Sequence, residues 1–192
     1  MREKISKAIK DIGERCDEKV DIMKIFIGGS KMVLEINDVV KEKLNEFIKY
    51  GDEILIGDCW RIDTVVQEFF KHNNYNNVTV YASGDKVRNN VGQFKLRNIQ
   101  TDVAKGFEFY RKKDVVMANE ADCGFMIWDE KSKGTLSNIV DLVNLKKSVE
   151  IYLTNSNTFY VISADKLSRD KSVEALGGLV HDAYEDVMNV LK

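Results

Sequence analysis

The 192-residue chain contains no proline, so the commonest marker of loops and linkers is missing and boundaries must be read from other signals. Its three cysteines (Cys16, Cys59 and Cys123) are an odd number, far apart and without C-x-x-C spacing. That supports neither a disulfide framework nor a structural zinc site and points to a reduced, cytoplasmic chain. With only two histidines, His72 and His181, a His-rich metal centre is excluded too, and no metal or cofactor is expected. Neither sign of charge dominates: 29 Lys and Arg stand against 31 Asp and Glu, for a net charge of -2. Such balance argues against a nucleic-acid polymer or a membrane surface as partner. The opening MREKISKAIKDIGERC is charged throughout and reads as neither a signal peptide nor a membrane span. No internal repeat, Gly/Ser linker or long charge block divides the chain, and a single domain over 1–192 is expected.

What is present is an alternation. KIFIGG (24–29), EILIGD (53–58), NVTVYA (77–82), DCGFMIW (122–128) and VEIYL (149–153) are short apolar runs that read as buried strands, and TFYVI (158–162) as an edge strand. Between them lie amphipathic stretches. Residues 36–49 put Ile36, Val40, Leu44, Phe47 and Ile48 on one face, with Asn37 as a cap and Gly51 as the stop. Helices are also expected over 61–72 and 105–120, and in the segment placing Leu136, Ile139, Val140 and Val143 inward. Residues 83–104 have little periodicity and read as an excursion. Amphipathic helices are expected at both ends: within 1–22 (Ile5, Ile9, Ile12 and Cys16) and within 167–192 (Val173 through Leu191).

Continuous apolar strands alternating with amphipathic helices predict a parallel sheet covered on both faces: a Rossmann-like α/β three-layer sandwich, five strands in the order 3-2-1-4-5. Ligands in such sheets bind beyond the carboxyl ends of the strands, at the switch point. That rule selects Gly28, Gly29 and Ser30 after strand one, and Gly57, Asp58 and Asp63 after strand two. It also selects the turn of Ser132, Gly134 and Thr135 after strand four, with Asn138 one turn into the following helix. Glycines there let backbone N–H groups approach a ligand, hydroxyls suit phosphate or ribose, and a helix start attracts anions. Each also has a plainer reading: a tight turn, a Ser/Thr cap, or a first-turn carboxylate facing the helix dipole. Trp60 is placed either to stack on a base or to cover the sheet edge. Residues 83–113 carry eight Lys and Arg against three acids, a local excess that suits a phosphate-bearing small ligand.

Together these clusters resemble the SLOG superfamily, the Rossmann-like fold of lonely-guy phosphoribohydrolases, nucleoside 2-deoxyribosyltransferases and nucleotide-ligand sensors. The strand-GGS and strand-GDxxxxD pattern resembles the YspA-like members, with Arg61 where their pattern has its second glycine. KKDVVMANEADCGFMIWDEKSKGTLSNI resembles the helix, strand and Gly-Thr turn of both enzyme groups. The resemblance implies that Gly134 and Thr135 bind phosphate or sugar and that Asp114 stands where an aspartate contacts the base. It also implies that Lys113 lies near a catalytic arginine position, and that Asn138 occupies the catalytic glutamate position. An amide cannot serve as nucleophile or base, so glycosidic chemistry would need another acid among Asp58, Asp63, Asp114, Asp129 and Glu130. Two functions follow: binding of a nucleotide-derived ligand, or N-glycosidic chemistry with a relocated carboxylate. A homo-oligomer is implied as well, because such proteins commonly complete their sites across a dimer.

Overall fold

The computed structural model describes residues 21–162. Among these residues seven strands form one sheet: β1 (Lys24–Gly29), β2 (Glu53–Gly57), β3 (Val78–Ser83), β4 (Lys95–Ile99), β5 (Cys123–Trp128), β6 (Val149–Leu153) and β7 (Thr158–Ile162). The helices among the described residues that cover it are α1 (Asp38–Tyr50), α2 (Ile62–His72), α3 (Phe107–Glu120) and α4 (Lys133–Asn144). The strand order is β4-β3-β2-β1-β5-β6-β7, parallel except for the antiparallel β6–β7 pair. This is the expected Rossmann-like α/β sandwich, and β3-β2-β1-β5-β6 reproduces the expected five-strand order. The count of five is corrected to seven. One addition is the β7 edge strand foreseen at 158–162. The other, β4, lies inside the segment read as an excursion. The helices expected within 1–22 and 167–192 fall outside the described residues.

Successive strand residues feed opposite faces, which is why the runs are apolar without a break. Phe26, Leu55 and Met126 pack under α3 and α4 with Met117, Leu136 and Ile139. Ile25, Ile27, Ile54 and Ile56 pack on the other face with Leu44 and Phe47 of α1 and Val66 and Phe70 of α2. Asn37 caps α1 by accepting from the Val40 N–H at 3.1 Å, and Gly51 closes it in the left-handed region at φ 76°.

The chain builds outward from β1 through β2 and β3 to β4, and α3 then carries it back to β5 on the other side of β1. The switch point therefore lies between β1 and β5. The loop after β3 is pinned over this end of the sheet by buried polar contacts. Arg88 donates to Asp58 through its backbone N–H (3.0 Å), Nε (3.2 Å) and Nη2 (2.6 Å). Gln67 donates to the Gly57 carbonyl at 2.9 Å and accepts from the Val91 N–H at 3.1 Å.

Candidate functional site

A cavity of about 500 Å³ opens beyond the carboxyl ends of β1 and β2, between α3 and α4. Ten of the residues singled out from the sequence line it: Gly28, Gly29, Gly57, Asp63, Lys113, Asp114, Ser132, Gly134, Thr135 and Asn138. Ser30 and Asp58 stand behind its walls, and Asp129 and Glu130 do not line it either. Ser30 is fully buried, donating from Oγ to Asp129 Oδ1 at 2.8 Å and lying 3.4 Å from Thr135 Oγ1. The two turns expected to flank a phosphate do meet, but they clasp each other. Asp58 is also buried, fully engaged with Arg88, and does not line the cavity. Trp60 is exposed and outside the lining as well.

The α4 turn shows how this clasp is made. Ser132 caps the helix, accepting from the Thr135 N–H at 3.4 Å and from Thr135 Oγ1 at 3.0 Å. Asp129 accepts from the N–H groups of Ser132 (2.8 Å) and Lys131 (3.1 Å). Burial works to raise the Asp129 pKa, but the hydrogen bonds from Ser30, Ser132 and Lys131 outweigh it and hold it below its ordinary value. Gly134 stands apart: a Cβ added there would meet nothing within 4 Å. At Gly29, by contrast, a Cβ would come within 2.8 Å of both the Ile127 carbonyl and Ile62 Cγ1, so this glycine is required by packing.

At the β2 end the cavity carries a buried charge cluster. Asp63, in the first turn of α2, accepts from the Cys59 N–H at 2.9 Å. Lys113 is buried and its Nζ donates to Asp114 Oδ1. A Cβ on Gly57 would lie 2.5 Å from Asp63 Oδ2 and 2.7 Å from Lys113 Nζ, so only glycine lets this carboxylate and ammonium converge over the strand end. Burial pushes the Asp63 pKa up to about 6, against the pull of Lys113 and the Cys59 hydrogen bond, with Asp114 and Asp58 adding to the rise. Burial would lower the Lys113 pKa, but Asp114, Asp63 and Asp58 outweigh it and raise it. The Cys59 thiol, also in the lining, is raised by burial and by Asp63.

Several lining residues were missed as individuals. Arg88 stacks on Tyr110, its guanidinium carbon 4.2 Å from the ring centroid, and both face the cavity with Phe107 at the start of α3. Arg111 donates from Nη2 to both Asp141 oxygens at 2.8 Å. The signal for the two arginines was the basic excess over 83–113; nothing local marked Tyr110 or Phe107. Arg61, at the position where the resembled pattern has glycine, caps α2 at φ 76° and ψ -109°. That conformation costs a side-chain-bearing residue on the order of 1–3 kcal/mol, so the glycine of the pattern has a backbone reason.

Most charges in the cavity are already compensated: Arg88 by Asp58, Arg111 by Asp141 and Lys113 by Asp114. Exposed Lys31 and Lys133 add positive charge at the mouth, beside the open start of α4. Two buried polar atoms of lining residues have no hydrogen-bond partner: Arg111 Nη1, a donor, and Asn138 Oδ1, an acceptor. Among the described residues no group of three or more His, Cys, Asp or Glu is placed to hold a metal ion. Among them, too, no helix is long and apolar enough to cross a membrane. No protein-family model matches this chain, and no curated protein or solved structure does either.

Proposed function

We propose that this protein binds a nucleotide-derived small molecule in the strand-end cavity. The observation that carries the reading is convergence: residues from four separate segments, chosen for ligand chemistry, line one cavity of about 500 Å³ beside the switch point. In this reading the phosphate sits at the mouth, against Gly134, where a Cβ would meet nothing within 4 Å, and beside Lys31 and Lys133. The base lies toward Phe107 and the Arg88–Tyr110 stack. The motifs that resemble the SLOG superfamily agree with this ligand class. A cytoplasmic homo-oligomer belongs to the same proposal.

A specific observation favours a second reading, cleavage of an N-glycosidic bond. Asp63 is a carboxyl group pushed up to about 6 inside a ligand-sized cavity, suited to hand a proton to a departing base. Asp114 would stabilise positive charge growing on the sugar, and water would complete the hydrolysis. Asp58 drops out of this role because Arg88 occupies it.

Incubation with nucleosides, nucleoside monophosphates and NAD, read by chromatography, separates the readings. Binding by equilibrium dialysis without release of free base is the expected result; base release at an enzyme-like rate makes the second reading the correct one. Gly134→Val is expected to abolish binding with folding nearly intact, because its side chain enters open space at the mouth. Normal binding by that variant would make the turn purely structural.

A further inference from the structure

We infer that Arg111, fixed by Asp141, acts with Asn138 to read a vicinal diol, so that the cavity distinguishes a ribonucleotide from its deoxy counterpart. This rests on the nucleotide-binding reading above and names the part of the ligand that reaches the middle of the cavity. Arg111 is 8% exposed and Asn138 7% exposed, and both line the cavity. Arg111 Nη1 and Asn138 Oδ1 lack any partner and have almost no accessible surface of their own, and leaving such buried groups unpaired is costly. A ligand hydroxyl that draws these two lining side chains slightly toward the cavity recovers that cost.

The two groups are neighbours by construction. Asp141 holds Arg111 Nη2, and Asn138 lies three residues earlier on α4, on the same helix face as Asp141. Arg111 therefore reaches from α3 to the stretch of α4 that carries Asn138. One group only donates. The other, through the unpaired oxygen, only accepts. Adjacent hydroxyls answer both, since one can accept from the guanidinium while the next donates to the amide.

Depth favours a sugar over a base at this level. Phe107 lies one turn toward the mouth from Arg111 on α3, and Gly134 one turn toward the mouth from Asn138 on α4. Aromatic and anion-binding groups thus stand at the rim and the unpaired pair stands below them. A nucleotide with its base and phosphate at the rim turns its sugar edge inward. The ion pair with Asp141 leaves Arg111 little net attraction for a second anion, which suits a neutral diol.

The test compares adenosine monophosphate with deoxyadenosine monophosphate by calorimetric titration, for the parent and two variants. The parent is expected to prefer the ribonucleotide by about tenfold, the effect of one well-placed buried hydrogen bond. Arg111→Met combined with Asp141→Leu removes the pair together, which avoids stranding a buried charge and keeps the fold. Asn138→Leu removes the acceptor alone. Both are expected to lower the ribonucleotide's affinity until it lies within about twofold of the deoxynucleotide's. A parent that binds both nucleotides equally overturns the diol assignment and leaves nucleotide binding standing. So does a preference that survives in either variant. Failure of the parent to bind either nucleotide overturns the nucleotide reading itself.

Discussion

Lys113→Met is expected to cost the fold about 3–5 kcal/mol near neutral pH, measured by urea denaturation, the usual penalty for removing one partner from a buried ionic cluster. Lys113 is buried beside Gly57, bonded to Asp114 and close to Asp63, so its loss leaves two carboxylates in the cavity wall without their cation. The Lys113 pKa is raised, so its contribution is present throughout the neutral range and disappears only in alkali. In acid the penalty should shrink, because Asp63 takes up a proton and no longer needs a counter-ion. A loss below about 1 kcal/mol near neutral pH would show that water reaches these charges and screens them.

Asp63→Asn should change the pH dependence of stability more than any other single carboxylate substitution in the cavity. The Asp63 carboxyl moves from 3.8 to about 6 on folding. Its folded form holds the proton more tightly, so its contribution is fully present below the unfolded value and is lost as pH rises through about 6. A difference of that size amounts to about 3 kcal/mol at most. The asparagine keeps an oxygen for the Cys59 N–H and does not titrate. Relative to the parent, the variant is expected to gain up to about 3 kcal/mol between acid and mildly alkaline pH, from paired denaturation curves. Parallel pH profiles for parent and variant would mean that Asp63 is ionised and well paired.

How much of this was legible in the sequence depended on whether the signal was local. KIFIGG, EILIG and CGFMIW are buried on both faces, so hydrophobicity alone marked them as strands and their alternation with helices implied the parallel order. Strand β4, KLRNI, has four of five residues exposed and is held by its backbone ladder to β3, which leaves no apolar pattern to find. Its Lys95 and Arg97 also suit an open sheet edge.

The same distinction runs through the site. Gly28, Gly57, Asp63 and Asn138 follow from strand ends and helix starts, which the topological rule selects. Asp58 satisfied the same rule, yet its partner Arg88 lies 30 residues away in a segment without periodicity, so its role as an anchor was invisible. Arg111 likewise depends on Asp141, also 30 residues distant. Ser30 follows β1 beside the switch point, but only the Asp129 and Thr135 contacts show that its hydroxyl is spent on holding two turns together.

The most direct measurement is a diffraction structure of crystals soaked with adenosine monophosphate. The nucleotide is expected between α3 and α4, its phosphate against Gly134 and its ribose toward Arg111 and Asn138. A nucleotide bound anywhere else, or a strand-end cavity still empty at saturating concentration, would contradict this expectation.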